Sequence, residues 1–168
     1  SMGGWVAAMM AIKYPNRVEK IVLADAAGIV PASFSNEQIY QLNNSTRDEI
    51  RANMKLIFAN PLLQNNEALV DTFMTARVTA GDGGTINSLS ESIKPKEDFL
   101  NDRLGEIKRP TLIIWGKQDG LLPVADATAF NKGIAGSELV IFDECGHVPQ
   151  FEKAADFNKA VLDFLGKK

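Results

Sequence analysis

An apolar run fills positions 110–116, where the sequence reads PTLIIWG, and the polar residues KQDG follow at positions 117–120. The run has strand length, is rich in β-branched residues and does not alternate with polar residues. This pattern is typical of a parallel strand that is covered by helices on both faces. Asp119 comes directly after the run, so it is predicted to lie at the carboxyl end of a buried strand.

Two other stretches carry the same signature. Residues 18–25 read VEKIVLAD and residues 137–143 read SELVIFD. Helical periodicity precedes or follows them at positions 2–14, 123–134 and 150–165. The last of these helices is predicted to bury an inner stripe formed by Phe151, Ala154, Phe157, Val161, Leu162 and Phe164 or Leu165. Strands that alternate with helices indicate an α/β fold, here with about three parallel strands flanked by helices.

Between positions 31 and 109 the pattern predicts helices only. Residues 45–49, STRDE, are typical of a capped helix start, and Pro61 is expected to end that helix. A second helix is predicted over 66–80 and is ended by the glycine-rich residues 81–84. We therefore divide the chain into a core of residues 1–30 and 110–168 and a helical cap insertion of residues 31–109.

Composition narrows the classes of protein. The chain has 168 residues, of which 45% are hydrophobic and 23% charged, as in a globular domain rather than a disordered one. The 18 basic and 21 acidic side chains give a formal charge of −3, which disfavours nucleic acid as a partner. No apolar stretch approaches the roughly 18 residues of a membrane span, and no signal peptide pattern opens the sequence. A cytoplasmic location is expected.

The single cysteine and the single histidine limit other chemistry. Cys145 cannot form an internal disulfide, which fits a reducing compartment. One histidine and one cysteine leave little material for a zinc or iron site, so neither a metal nor another cofactor is expected. Cys145 lies two residues from His147, too close in sequence to reach the imidazole edge as a nucleophile, and a small buried residue is the expected role.

His147 lies just past the third strand, within the residues ECGHVP at positions 144–149. Ligands of open α/β sheets bind at the carboxyl ends of the strands, and Asp119 is predicted at that same edge. A lone histidine in a turn is more often structural, but an ionised aspartate beside it can hold the imidazole in one tautomer. Asp25 also ends a strand and is an alternative acid, although a role as a turn residue is favoured for it.

A nucleophile is available at Ser1, because the residues SMGG at positions 1–4 directly precede the first helix. Serine followed two positions later by glycine is the second half of the G-x-S-x-G nucleophile elbow. A small residue there lets two backbones approach, and the amide N–H of Met2 would point into the site as an oxyanion donor. The alternative is that Ser1 is a residue left by cloning.

The chain order of Ser1, Asp119 and His147 is that of the α/β-hydrolase triad. The sequence resembles the α/β-hydrolase superfamily, specifically the serine lipases, esterases and carbon–carbon hydrolases that carry a helical cap. The resemblance rests on SMGGW at 1–5, YPNRV at 14–18, the strand at 110–119 and CGHVPQFE at 145–152. It implies a partial α/β-hydrolase fold in which Ser1 is the nucleophile, Asp119 the orienting acid and His147 the general base, with the Met2 amide as an oxyanion donor.

The sequence departs from this family at its beginning. A complete member has strands before the elbow and a loop that supplies a second oxyanion donor, and neither is found here. The strand at 18–25 is therefore expected to have an open edge, which an N-terminal segment or a second copy of the chain would cover. The loss of one oxyanion donor costs on the order of 100- to 1,000-fold in turnover, so weak activity is expected from this chain alone.

Three functions remain open. The first is hydrolysis of a small apolar ester through an acyl-enzyme. Its apolar pocket is expected to consist of Val148 and of cap residues, namely Phe34, Leu56, Ile57, Phe58, Leu69 and Phe73. Packing within the cap is the alternative role of these residues. The second is carbon–carbon bond hydrolysis of ring-cleavage products, for which an aromatic residue near Val148 is expected. The third is a non-catalytic half-hydrolase that binds a partner. An N-terminal nucleophile mechanism, in which the α-amino group activates Ser1, requires a strand-rich sandwich and is a remote alternative.

Overall fold

A computed structural model describes residues 1–30, 43–93 and 97–167. Its sheet has three parallel strands in the order β1 (Ile21–Ala24), β2 (Thr111–Gly116) and β3 (Glu138–Phe142). The three predicted strands are confirmed. The described residues form one parallel layer and not a sandwich, so the N-terminal nucleophile alternative is wrong for this part of the chain.

Helices connect the strands and cover them. The described helices are α1 (Met2–Lys13), α2 (Arg47–Ile57), α3 (Pro61–Gln64), α4 (Glu67–Ala80), α5 (Gly83–Ile93), α6 (Val124–Gly133), α7 (Pro149–Glu152) and α8 (Ala154–Gly166), with short 3₁₀ turns at Pro15–Arg17 and Leu104–Glu106. One face of the sheet packs on α1 and α6, through buried residues such as Ala8, Leu23 and Phe130. The other face packs on α8 through Phe164.

The strands differ in burial. Every residue of β2 is buried, as a central strand between two helical layers requires. In contrast, β3 is only half-buried, and Ile141 is exposed. The prediction that all three strands are buried is therefore wrong for β3, because it lies at the edge of the sheet and is covered less completely by helices.

The last predicted helix, 150–165, is divided in two. Lys153 leaves the helical conformation with φ −128° and ψ 43°, which separates α7 from α8. Within α8, Phe157, Val161 and Phe164 follow the helical spacing and pack against the sheet as expected. The other members of the predicted stripe are exposed, namely Phe151, Ala154, Leu162 and Leu165.

The described part of the cap, residues 43–93, is helical as predicted. The predicted capped start is confirmed, since Thr46 and Glu49 form a reciprocal capping box at the start of α2. Pro61 follows the end of that helix but also begins α3. Gly81 adopts a left-handed conformation with φ 60° and ends α4, whereas Gly83 and Gly84 begin α5, a helix that the sequence pattern did not predict.

The two ends of the insertion meet. Asn101 accepts a hydrogen bond from the Val30 N–H at 3.1 Å and donates one to the Val30 carbonyl at 2.7 Å. The Leu100 N–H also donates to the Gly28 carbonyl. The chain therefore leaves the core and returns to it at one place, as expected for an insertion between two strands. The boundaries at 31 and 109 stay a prediction.

Within the described residues, β1 pairs only with β2, so its other edge has no partner strand. A segment or second copy that covers this edge stays a prediction. None of the described helices combines the length and the apolar character needed to cross a bilayer.

Gly116, the last residue of β2, lies against the turn that carries His147. A Cβ at this position would lie 1.9 Å from the Gly146 carbonyl oxygen, and backbone atoms cannot move aside cheaply. We expect Gly116→Ala to lower the free energy of unfolding by about 2 kcal/mol or more. Urea denaturation measures this change.

Gly84→Ala is the matched control. Its added Cβ would meet no atom within 4 Å, and the position is helical, so no loss of stability is expected. Equal stability of Gly116→Ala and Gly84→Ala would contradict the close approach.

Candidate active site

Asp119 and His147 meet at the carboxyl edge of the sheet. The His147 Nδ1 lies 2.8 Å from Asp119 Oδ2, and the carboxylate side chain is fully buried. Asp119 Oδ1 accepts the N–H groups of Leu121 and Leu122 at 2.8 and 3.0 Å. Because carboxylate oxygens only accept, Nδ1 carries the proton and Nε2 is left as the basic nitrogen.

Backbone hydrogen bonds fix the turn that carries His147. The His147 N–H donates to the Ile57 carbonyl at 2.7 Å, which ties the turn to the end of α2. Cys145 and Gln118 bind each other twice: the Gln118 N–H donates to the Cys145 carbonyl, and the Gln118 side chain accepts the Cys145 N–H. The turns that carry the acid and the histidine are therefore joined next to their functional side chains.

Glu152 adds a third connection. One of its carboxylate oxygens accepts the Gly146 N–H at 2.7 Å, and the other accepts the N–H groups of Ala59 and Asn60 at 2.9 and 3.0 Å. A single side chain thus holds both the histidine turn and the start of the segment after α2. No local sequence pattern assigns Glu152 a role, although it lies within the motif at 145–152 that carries the family resemblance.

Ser1 lies at the same edge of the sheet, at the N-terminus of α1. Its nitrogen donates to the Ala24 carbonyl at 2.9 Å, and its carbonyl accepts the Ala27 N–H at 3.1 Å. Gly4 permits this approach, since a Cβ there would lie 2.6 Å from Ala26 Cβ. The expectation that glycine lets the backbones approach fits Gly4, whereas Gly3 has open space around it.

The Ser1 hydroxyl makes no hydrogen bond with any residue that the structure describes. In free enzymes, contacts between nucleophile and base are often long and shorten when substrate binds. The structure therefore joins Asp119 to His147 and places the Ser1 main chain beside them.

Met2 is the first residue of α1. The first N–H groups of a helix have no acceptor within the helix. Among the described residues, the Met2 N–H has no hydrogen-bond acceptor. The oxyanion role of Met2 stays a prediction, and this free donor beside Ser1 fits it.

Asp25 is also part of this cluster, although it was expected to be a turn residue. It is fully buried, its φ is 41°, and its Oδ1 accepts the Gly116 N–H at 2.9 Å. One ligand atom each from Asp25, Asp119 and His147 lie within 4.8 Å of one another. A metal ion at this position would have to break the hydrogen bond between His147 and Asp119, so we assign no metal.

Burial, together with the charge of the neighbouring Asp119, raises the pKa of the Asp25 carboxyl to about 8, although the Gly116 N–H acts in the opposite direction. Burial also raises the pKa of Cys145, to about 12. The Cys145 thiol is buried and stays protonated at neutral pH, in agreement with the role expected for it.

The residues expected to line a pocket occupy different places. Phe58 lies in the core of the cap with Ile50, Met54 and Val70, and the side chains of Ile57, Leu69 and Val148 pack against this core. Leu56 and Phe73 are exposed. Phe34 lies outside the described residues. A depression of about 610 Å³ beside the histidine turn is lined by residues that include Asn60, Gln118 and Lys153, and by none of the expected pocket residues.

A comparison with protein-family models matches residues 1–154 to the alpha/beta hydrolase fold. The chain belongs to this family. It is 36% identical, over 99% of its own length, to a 2-hydroxy-6-oxononadienedioate/2-hydroxy-6-oxononatrienedioate hydrolase of Escherichia coli K12. It is 34% identical, over 98% of its length, to hydrolase 1 of the same name from Pseudomonas putida. The chain spans about 60% of the length of these curated relatives.

Solved structures agree on the fold. The chain is similar to the meta-cleavage product hydrolase CumD of Pseudomonas fluorescens IP01, with a TM-score of 0.83 and 23% identity over 98% of this chain and 62% of that one. It is also similar to the 2-hydroxy-6-oxo-6-phenylhexa-2,4-dienoate hydrolase of a Rhodococcus strain, with a TM-score of 0.78 and 20% identity over 99% and 62%. These similarities confirm the partial α/β-hydrolase fold.

Glu152 provides a test of how the cap and the histidine turn are joined. Glu152→Ala leaves three backbone N–H groups without their charged acceptor, so we expect the free energy of unfolding to fall by about 2–3 kcal/mol. Glu152→Gln keeps an acceptor oxygen and should lose less. Urea denaturation measures both changes.

Asp163→Asn is the control, because it removes an exposed carboxylate that pairs with Lys159 four residues away and should cost no more than about 0.5 kcal/mol. A loss in Glu152→Ala no larger than in Asp163→Asn would contradict the joining role.

The pH dependence of stability tests the state of Asp25. Its folded pKa of about 8 lies above the value of roughly 3.9 for an unfolded aspartate. The folded state thus holds a proton that the unfolded chain releases, and the free energy of unfolding falls as pH rises from about 4 to 8, by up to about 1.4 kcal/mol per pH unit from this group. We expect urea denaturation between pH 5 and 8 to show a smaller decline in Asp25→Asn than in the wild type. Parallel pH dependences would contradict a raised pKa.

Proposed function

We propose that this protein is a serine hydrolase that cleaves a carbon–carbon bond next to a ketone in ring-cleavage products. The observation that carries this proposal is the 2.8 Å contact between the His147 imidazole and the buried Asp119 carboxylate, at the sheet edge where Ser1 begins α1. An imidazole oriented by an ionised acid is the general base that a serine hydroxyl requires. The roles of nucleophile, acid and base belong to Ser1, Asp119 and His147.

The reaction uses these groups in order. The Ser1 hydroxyl adds to the ketone carbon and gives its proton to His147 Nε2, while Asp119 stabilises the imidazolium. The Met2 N–H donates to the oxygen that becomes negative. The carbon–carbon bond then breaks, its electron pair stays on the leaving carbon, and the imidazolium proton returns to that carbon. Water, activated by His147, hydrolyses the acyl-enzyme and restores the Ser1 hydroxyl.

A carbon leaving group must be stabilised, and this requirement favours a particular class of substrate. The relatives' names describe acids that carry a 2-hydroxy group, a 6-oxo group and two or three double bonds. Before cleavage, the proton of the 2-hydroxy group moves to carbon 5 and the dienol takes its keto form. The electron pair that the broken bond leaves on carbon 5 is then conjugated, through the remaining double bond, with the 2-oxo group. We therefore assign a conjugated 2-hydroxy-6-oxo acid as the substrate class.

The relatives favour this reaction over ester cleavage. The absence of an aromatic residue at Val148 points to esters, but Val148 packs against the core of the cap. Relatives that are 34–36% identical over nearly the whole chain are named as hydrolases of dienedioates and trienedioates. The carbon–carbon alternative is thus better supported than the ester hydrolase, which was the first expectation.

We propose that the activity of the whole protein also depends on residues that lie outside this chain. The relatives extend over more residues than the chain matches, and the open edge of β1 is where a further strand would pair. We propose that a segment outside the described residues, or a second copy, covers this edge. A second oxyanion donor would come from the same region.

Labelling with a fluorophosphonate probe tests the triad, since the probe needs only an activated serine. We expect the wild type to be labelled at Ser1, Ser1→Ala not to be labelled, and His147→Ala to be labelled at least ~1,000-fold more slowly. Ser92→Ala is the matched control because Ser92 is an exposed helical residue whose hydroxyl binds the Leu89 carbonyl. Labelling that survives in Ser1→Ala would contradict the assignment, and an inert wild type would favour an interaction domain.

Turnover assays distinguish cleavage of a carbon–carbon bond from cleavage of an ester bond. The protein is assayed with a 2-hydroxy-6-oxodienoate and with an alkyl ester of matched size. Loss of the dienoate's long-wavelength absorbance, abolished in Ser1→Ala, is the expected result, with slower cleavage of the ester. Ester cleavage without dienoate cleavage would return the assignment to an esterase.

A further inference from the structure

One oxygen of the Asp25 carboxyl has no donor. The side chain is fully buried and Oδ1 accepts the Gly116 N–H, but within the described residues Oδ2 has no hydrogen-bond partner. An ionised carboxylate oxygen that is removed from water and left without a donor is costly. This atom therefore requires either a donor or a proton of its own.

The titratable groups around Asp25 supply no hydrogen-bond donor to its Oδ2. Asp119 is the nearest, and its two oxygens already accept from the N–H groups of Leu121 and Leu122 and from the imidazole. The other titratable groups around Asp25 are His147 and the Cys145 thiol. The His147 Nδ1 proton goes to Asp119, and the Ser1 nitrogen donates to the Ala24 carbonyl.

Asp25 and Asp119 each have a carboxyl oxygen within 4.8 Å of the other. Two carboxyl groups this close do not both ionise readily, because like charges in a buried site repel. The proton belongs to the group whose ionised form has fewer donors. Asp119 has three donors and Asp25 has one, so Asp25 carries the proton. A protonated Oδ2 becomes a donor, and Asp119 beside it is an acceptor.

We propose that Asp25 is a positioning residue that stays protonated at neutral pH and donates a hydrogen bond from Oδ2 to the Asp119 carboxylate. This bond adds a fourth donor to Asp119 and holds its side chain against the imidazole. It also leaves one negative charge rather than two beside His147. The consequence for catalysis rests on the proposed function, whereas the position of the proton does not.

The backbone supports a specific role at this position. Asp25 has a φ of 41°, a left-handed conformation that aspartate and asparagine tolerate better than most other residues. Asparagine fits the same backbone and offers an N–H donor in place of the carboxyl O–H. Glycine adopts this φ without strain and offers no side chain. A comparison of Asp25→Asn with Asp25→Gly therefore separates the effect of the side-chain hydrogen-bond donor from the effect of the backbone conformation.

The proton can be observed directly. In protein labelled with ¹³C at the aspartate carboxyl carbon, the Asp25 signal is assigned by its loss in Asp25→Asn. We expect it to have the chemical shift of a protonated carboxyl at pH 7 and to titrate near pH 8. An Asp25 signal that is already ionised at pH 6 would overturn the proposal. Loss of the protonated signal when Mg²⁺ or Zn²⁺ is added would also overturn it, because the pair would then hold a metal.

The rate of Ser1 labelling by the fluorophosphonate probe tests the positioning role. We expect Asp25→Gly to be labelled about 10-fold or more slowly than the wild type at pH 7, and Asp25→Asn to recover most of that rate. The wild type should lose labelling rate as pH rises through 8, whereas Asp25→Asn should not. Equal rates in Asp25→Gly and Asp25→Asn, or an alkaline loss that persists in Asp25→Asn, would overturn the role.

Circular dichroism of Asp25→Gly shows whether the variant is folded. If it is not folded, the pH dependence of the labelling rate in the wild type and in Asp25→Asn tests the positioning role. Failure of the proposed function has a different signature. A wild-type protein that is not labelled at Ser1 would contradict the triad, while the ¹³C titration would still report where the proton lies.

Discussion

The candidate site depends on the close approach of two turns at the carboxyl edge of the sheet. Gly116 at the end of β2 lies against the backbone of residues 145–146, so close that a single added methyl group would collide with carbonyl oxygens. Asp119 and His147 are 28 residues apart in the sequence. They can form their hydrogen bond only because the two turns approach each other this closely. The fully buried strand β2 fixes the position of the first turn, and the hydrogen bonds between Gln118 and Cys145 fix the second relative to it.

The cap is part of this arrangement. The end of α2 accepts N–H groups from both turns, through the carbonyls of Leu56 and Ile57, and Glu152 holds the segment that follows. Val148 continues the contact by packing against the apolar core of the cap. Movement of the cap relative to the core would therefore act directly on the histidine. This connection gives the insertion a structural role besides any contact with substrate.

The charges of the site follow from its burial. A carboxylate removed from water needs donors, and Asp119 has them from two backbone N–H groups and one imidazole. Asp25 is equally buried and has only the Gly116 N–H. The two aspartates are chemically identical and close together, yet their surroundings favour different protonation states. In this way, the fold rather than the residue type separates the carboxylate that contacts the imidazole from the carboxyl beside it.

The sequence by itself determined the alternation of strands and helices, the helical insertion, the capping box at Thr46 and the candidate triad, because these features depend on local patterns and on a family motif with a fixed chain order. Local patterns did not reveal the break at Lys153, the helix α5 or the exposure of β3, since these depend on what each segment packs against. They also missed Glu152 and treated Asp25 as a turn residue. Only the tertiary structure decided these roles, because hydrogen-bond donors and burial come from residues distant in the sequence.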